Sequence, residues 1–378
     1  MASAFTTGAG SPAVLGRRGS VRRCRGARGS RQTSVCGLDP KGPRLAIAGV
    51  TGAVGQELLE CIKGRNFPYS SLKLLASSRS AGKKYEFEGV EYTVEELTDD
   101  SMDGVDIALF SAGGSQSKRF CEVAKAKGVV VVDNSSAFRM TEGVPLVVPE
   151  VNPEAMAGVK IGTGAIVANP NCSTIIALMA VTPLHRAAGV KRMVASTYQA
   201  ASGAGQAAMD ELWEQTGQLL RGEPMTHNIW KGQYAFNLFS HNSDIDMATG
   251  YNEEELKLVK ETRKIWDNQE VRVTATCVRV PIMRAHTESI NVELEKPLTV
   301  EQAREILAKA PGVSIIDDRA ANSFPTPLAA SGKDDVYVGR IRQDLSQPEG
   351  YGLDILVCGD QIRKGAALNA IQIAEMLV

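Results

Sequence analysis

Apolar positions follow two rhythms along this chain. From residue 44 to about 135, short all-apolar runs alternate with stretches of helical spacing. Arg44–Ala48 (RLAIA) reads as a buried strand running straight into Gly49-Val-Thr-Gly52-Ala-Val-Gly55, and Gln56–Lys63 follows as a helix. Leu72–Ala76 and Val105–Phe110 are further strands, Ser115–Lys127 is helical, and Val129–Val132 is apolar at every position. Apolar runs without alternation suit strands covered on both faces, and strand–helix alternation predicts a Rossmann-type doubly wound parallel sheet.

Beyond about residue 170 the runs lengthen and begin to alternate. Arg192–Tyr198, Val271–Val280, Ser289–Glu295 and Val336–Arg342 read as antiparallel strands with one covered face. Helices are expected near 173–182, 204–220, 253–266 and 300–309. The chain ends in a strand, Asp354–Val357, and a helix, Gly365–Val378, with Leu368, Ile371, Ala374 and Leu377 or Val378 on one stripe. The pattern implies an α/β protein: a Rossmann-type domain over 38–170 and 351–378, and an α+β domain with a largely antiparallel sheet over 171–350.

Residues 1–37 stand outside this pattern. Positions 1–36 hold seven arginines, no lysine and no acid, with abundant Ser, Ala and Gly. An Arg- and Ser-rich, acid-free leader without an apolar core segment reads as an organelle transit peptide, and the MASA start favours the plastid over the mitochondrion. The whole chain sums to a formal −1; without those seven arginines, 35 basic face 43 acidic residues, a formal −8. An acidic body argues against a nucleic-acid partner. No run approaches the ~18 apolar residues of a membrane span, and no Cys or His spacing suits a metal.

Three features carry candidate chemistry. The glycines at 49, 52 and 55 sit between strand and helix, where backbone N–H groups and the helix dipole hold a dinucleotide pyrophosphate. The second strand ends in Ser77-Ser78-Arg79-Ser80 without a nearby acid, a set suited to a 2′-phosphate and hence to NADP rather than NAD. Asn169-Pro-Asn171-Cys172-Ser-Thr precedes an apolar helix, and a cysteine at a helix N-terminus is expected to have a lowered pKa and raised nucleophilicity. Cys61, Cys121, Cys277 and Cys358 lie in apolar runs and read as inert. Of the histidines at 185, 227, 241 and 286, His286 is the best placed as a general base, following a predicted strand. Glu254 and Lys257, three apart on a predicted helix, share a face.

Together, GVTGAVG, DNSSAFRM at 133–140, NPNCST at 169–174, TYQAASGAG at 197–205, EEELK at 253–257, RVPIMRAHTES at 279–289 and GDQIRKGAALNA at 359–370 resemble the aspartate-β-semialdehyde dehydrogenases, from about residue 44 to the end. The resemblance implies NADPH-dependent conversion of L-aspartyl-4-phosphate to the 4-semialdehyde with release of phosphate. It implies Cys172 as nucleophile, His286 as acid/base and Gln199 as orienting group. Arg279 would clamp the α-carboxylate, Glu254 the α-ammonium, and Arg139 and Lys257 the phosphate, with Asn171 also at the substrate. Cofactor contacts would come from Gly49, Thr51, Gly52, Ala53, Val54, Gly55, Ser77, Ser78, Arg79, Ala112, Gly113, Ser202, Gly203 and Gln361, the last replacing an Asn common in the family. It further implies a small-molecule substrate with phosphate, no membrane partner, and a homodimer or homotetramer through residues 171–350.

Competing readings are separable. An N-acetylglutamyl-phosphate reductase would carry Pro-Gly-Cys-Tyr where this chain has Pro-Asn-Cys-Ser. A Cys/His hydrolase or acyltransferase needs no dinucleotide turn. A non-catalytic dinucleotide-binding regulator has no use for both Cys172 and His286.

Overall fold

The computed structural model describes residues 37–378; the expected transit peptide lies outside the described residues. The first sheet is built as the apolar runs predict. Its strands are β1 (Arg44–Ala48), β2 (Ser71–Ala76), β5 (Glu95–Glu96), β6 (Ile107–Phe110), β7 (Val130–Asp133) and β8 (Ala165–Ala168). They lie in the order β5-β2-β1-β6-β7-β8, every pair parallel. A small hairpin, β3 (Lys84–Phe87) and β4 (Val90–Thr93), stands apart. Helices α1 (Ala53–Gly64) and α2 (Gly114–Ala126) follow β1 and β6. Leu45 and Ile47 of β1 pack on the α1 side while Ala46 and Ala48 pack with Phe120, Cys121 and Ala124 of α2. The strand order reverses between β1 and β6, which puts the ligand crevice of such a sheet at their carboxyl ends, at Gly49 and at Ser111–Gly113.

The second half runs α3 (Cys172–Ala188), β9 (Val190–Gln199), α4 (Gln206–Arg221), β10 (Phe239–Ser240), α5 (Glu253–Ile265), β11 (Arg272–Arg279), β12 (His286–Leu294), α6 (Val300–Ala308), β13 (Val313–Ile315), α7 (Pro327–Ala330), β14 (Val336–Gln343) and β15 (Gly352–Gly359). Its strands form one sheet in the order β10-β11-β9-β12-β15-β14-β13. The sheet is mostly antiparallel, but β9 and β11 pair in parallel, as do β13 and β14. That corrects the expectation that all these strands are antiparallel: alternation reports a half-covered strand, not its direction. Helix α3 is buried along most of its length and packs on the inner face formed by Met193, Ala195, Ile290, Val292 and Ile355.

The expected return of 351–378 to the Rossmann domain divides in two. Strand β15 is hydrogen-bonded between β12 and β14 in the second sheet. Only α8 (Leu368–Glu375) crosses back, burying Leu368, Ile371 and Ala374 in the core beside β1 and α1. A π-helical turn, Arg363–Ala367, leads into it. Among the described residues no helix is long and apolar enough to cross a membrane.

An ion network joins the halves. Glu57 of α1 accepts from Arg284 and from Arg363, each at 2.8 Å, and Arg284 also donates to Asp360 at 2.6 Å.

Candidate active site

The strand register assembles the site. On the inner face of the second sheet Arg279 pairs with Gln199, and His286 pairs with Gly359. Thr287 pairs with Tyr198, which sets His286 across from Gln199. Arg279, Gln199, His286 and Gly359 therefore form one row across β11, β9, β12 and β15. The next row is Cys277, Thr197, Glu288 and Val357, where burial holds the Glu288 carboxyl well above the usual carboxylate range. Below that the face is apolar. Gly359 lets α3 approach the first row: a Cβ there would sit 2.8 Å from Ile176.

Helix α3 brings its first residue to this row. Cys172 Sγ lies 3.5 Å from His286 Nε2. Gln199 Nε2 is 3.4 Å from the same ring nitrogen and donates to Glu254 Oε1 at 3.0 Å. Thr197 in turn donates to Gln199 Oε1 at 3.2 Å. Asn171 caps α3, its Oδ1 accepting from Ser173 N and Thr174 N, while its Nδ2 donates to Glu254 at 2.9 Å. Gly365 makes room for Cys172, since a Cβ would meet Cys172 Cβ at 2.9 Å.

The expected low thiol pKa is corrected here. Desolvation of the sulfur, then the charge of Glu254, push Cys172 up to about 12, against the opposing pull of Arg279 and Arg139. The first-turn donors that were to favour a thiolate are already taken by the Asn171 cap. Burial, then the field of Arg279, push His286 down to about 3. The resting pair is a thiol and a neutral imidazole. Ala200 N donates to His286 Nδ1 at 3.1 Å, so the proton of the neutral ring sits on Nε2, facing the sulfur.

Charged groups line the remaining walls. Burial would raise the pKa of Glu254, but Lys257 beside it and the amides of Asn171 and Gln199 outweigh burial and hold the carboxyl well below its usual range. Lys257 Nζ lies 3.1 Å from Glu254 Oε2. Arg139 is buried, donating to Asn169 O, Asn134 O and Glu261, and each terminal nitrogen keeps one further N–H. Cys172, Gln199, Asn171, Arg139, Glu254, Lys257, Arg279, Ser202, Gly203, Gln361 and Val54 share one cavity of about 290 Å³. Gln361 is pinned rather than free: it donates to Ser202 Oγ and accepts from Ala285 N at 2.8 Å.

A second cavity holds the other half of the predicted cofactor set. Gly49, Thr51, Gly52, Ser77, Ser78, Arg79 and Ala112 line it. Glycine is required at 49, where φ is +87° and a Cβ would lie 2.3 Å from Ser111 O. Gly55 does not line this cavity; it faces inward, its absent side chain letting α1 close on Gly49 and Val50. Ala53 opens α1, and Gly113 caps α2 with φ +88°. Neither lines either cavity.

Sequence reasoning missed several members. Glu261 accepts from Arg139 Nη1 at 3.0 Å and from Asn171 N at 2.6 Å, tying Arg139 to the N-terminus of α3. It lies seven residues past Glu254 on the same helix, so face arithmetic could have found it. His241 contacts Arg279, and Asn134 and Ser136 line the cavity. Glu96 of β5 and Arg119 of α2 line the second cavity. Asn134, Ser136 and His241 lie in loops, and the tertiary placement of all five left no periodic signal. Among the described residues no group of three or more His, Cys, Asp or Glu could hold a metal ion.

The chain is similar to known proteins over most of its length. Residues 44–159 match the model "Semialdehyde dehydrogenase, NAD binding domain", and residues 181–364 match "Semialdehyde dehydrogenase, dimerisation domain". The chain is 54% identical over 339 residues to the aspartate-semialdehyde dehydrogenase of Synechocystis sp., covering 90% of this chain and 98% of that protein. It is 50% identical to the Aquifex aeolicus protein of the same name, over 89% of this chain and 98% of that one. Among solved structures, aspartate semialdehyde dehydrogenase II from Vibrio cholerae, complexed with ASA, superposes with a TM-score of 0.85 at 44% identity, covering 89% of this chain and 98% of that chain.

Proposed function

The chain belongs to the aspartate-semialdehyde dehydrogenase family, and from that membership we propose that it interconverts L-aspartyl-4-phosphate and L-aspartate-4-semialdehyde through a thioester on Cys172. The activity serves biosynthesis of the aspartate-family amino acids lysine, threonine, methionine and isoleucine. One observation carries the mechanism: the Cys172 thiol lies 3.5 Å from the buried, neutral His286 imidazole and itself lines a cavity with Arg139, Lys257 and Arg279 against the single carboxylate of Glu254. That charge set matches a substrate bearing phosphate, carboxylate and ammonium groups.

In the reductive direction Sγ bonds to the carbonyl carbon and phosphate leaves with the C–O electron pair. His286, with its proton on Nε2, passes that proton to the oxygen that becomes negative and takes up the thiol proton in exchange. Gln199, held by Thr197 and Glu254, orients the reacting group. Arg139 and Lys257 hold the phosphate, Arg279 the α-carboxylate and Glu254 the α-ammonium.

The donor set fits NADP. A Cβ at Gly52 would meet nothing nearer than Gly49 O at 3.5 Å, so the backbone at the start of α1 is open to a pyrophosphate. Ser77, Ser78 and Arg79 offer hydroxyls and a guanidinium to a 2′-phosphate; Thr51 and Ala112 line the same cavity, while Val54, Ser202, Gly203 and Gln361 line the cavity at Cys172. When bound, the nicotinamide exchanges a hydride with the carbonyl carbon held on Cys172.

The assembly we infer is a homodimer through residues 171–350, supported by the dimerisation-domain match and by Trp213 and Leu220 of α4, which are 73% and 75% exposed. The leader at 1–37 is read as a plastid address, which a reporter fused to residues 1–40 tests by its location; a cytosolic reporter overturns it.

The deciding assay supplies L-aspartate semialdehyde, phosphate and NADP and follows reduction of the nicotinamide. Activity that requires phosphate and disappears in Cys172→Ala is expected. Phosphate-independent activity, or full activity in the alanine variant, would sink the thioester mechanism. Equal use of NAD would overturn the role given to Ser77–Arg79.

A further inference from the structure

We propose that His241 is the positioning residue for recognition of the substrate's α-carboxylate: its Nε2 fixes the Arg279 guanidinium, and its Nδ1 ties that grip to the helix carrying Glu254. The inference rests on the functional reading above and extends it by one residue.

The backbone sets His241 against the strand that carries Arg279. Phe239 of β10 pairs with Arg279 of β11, and His241 N donates to Cys277 O at 2.8 Å. The ring then reaches back, placing Nε2 2.7 Å from Arg279 Nη2. A guanidinium has only donors, so Nε2 must offer its lone pair, and the proton of the neutral ring belongs on Nδ1. Ser243 sets two groups against Nδ1, its Oγ at 3.0 Å and its backbone N at 3.2 Å; the shorter, charge-assisted contact to Arg279 claims the lone pair for Nε2, so Oγ takes the Nδ1 proton, and the same oxygen accepts Glu254 N–H at 3.2 Å. Arg279, His241, Ser243 and Glu254 thus form one chain from the carboxylate side of the site to the ammonium side. Burial, then the field of Arg279, push His241 down to about 4, which keeps Nε2 an acceptor.

The remaining contacts of Arg279 show why this one matters. Nη1 donates to Ala200 O at 3.1 Å, and the Nε contact to Asn242 is long at 3.4 Å. Trp230 flanks the guanidinium at 5.9 Å, a distance that restrains little. With Nη1 and Nη2 each anchored once, each keeps one N–H, and this pair is left for a carboxylate. Without His241 the Nη2 corner is unanchored and the fork can swing.

The test compares steady-state kinetics of the unmodified protein with His241→Ala and His241→Gln in the phosphate-dependent oxidation of L-aspartate semialdehyde. For His241→Ala, KM for the semialdehyde should rise about tenfold or more while kcat stays within about threefold. His241→Gln, whose amide oxygen can accept from Nη2, should recover most of that loss. With 3-aminopropanal, the same aldehyde without its α-carboxylate, His241→Ala and the unmodified protein should give the same kcat/KM. The pair Arg279→Lys and Arg279→Lys/His241→Ala should share one KM for the semialdehyde. An unchanged KM in His241→Ala, an equal loss on both aldehydes, or a further rise on the lysine background would each overturn the proposal. An unmodified protein that shows no phosphate-dependent activity overturns the functional reading instead.

Discussion

Cys172 illustrates how a single residue's chemistry depends on what its neighbours have already used. Burial strips the sulfur of water, Glu254 sets a negative charge nearby, and the Asn171 cap already occupies Ser173 N and Thr174 N, so the sulfur rests as a thiol. The folded-state thiol pKa is raised, so thiolate grows with pH throughout the working range rather than reaching a plateau. Alkylation of Cys172 by iodoacetamide, followed by mass spectrometry, should therefore accelerate about tenfold per pH unit from pH 7 to 9. A rate already flat across that range would mean a thiolate at neutral pH. Much of the site was legible residue by residue: Cys172, His286, Gln199, Arg279 and Glu254 converge as expected. Its supports were not. Glu261 and His241 act through distances of 2.6 and 2.7 Å to groups far away in sequence, and no local pattern encodes such contacts. The sign of the Cys172 shift was hidden for the same reason, since the burial that sets it, and the Glu254 charge that adds to it, come from elements distant in sequence.

Among the elements, most strands and helices were legible because burial imposes periods of two or 3.6 residues on the side chains. Direction was not legible, as β9 and β11 show by pairing in parallel. Nor was sheet membership: β15 has an apolar inner face that either sheet could accept, and hydrogen bonding to β12 and β14 decides it. The contact between α3 and this sheet gives a prediction. In Gly359→Ala the new methyl would lie 2.8 Å from Ile176, and α3 must lift or Ile176 must leave its rotamer. We expect a loss of about 1–3 kcal/mol in urea-induced unfolding. Because α3 begins at Cys172, kcat/KM should also fall by about tenfold or more, a displacement of the nucleophile being costly to rate. Full activity in a destabilised variant would show that the helix N-terminus is held independently of this contact.

For the molecule as a whole, two sheets are stapled by Glu57, Arg284, Asp360 and Arg363, and the inferred dimer adds a second copy against α4. Trp213 and Leu220 are seven residues apart on α4, hence on one face. The unmodified protein should sediment near twice the chain mass of 40.4 kDa, and Trp213→Glu with Leu220→Glu should move it toward the monomer value. A double variant that still sediments as a dimer would place the interface elsewhere. The row formed by Arg279, Gln199, His286 and Gly359 has a last consequence, for change over time. Four separate stretches of chain share one ruler, the ladder of the second sheet. A one-residue insertion within any of these strands turns its contributed residue to the opposite face, and a two-residue insertion moves it about 7 Å along the strand. Loops between the strands can lengthen or shorten without disturbing that ruler. In this protein, tolerance of insertions should therefore map the active site as sharply as substitution of its residues does.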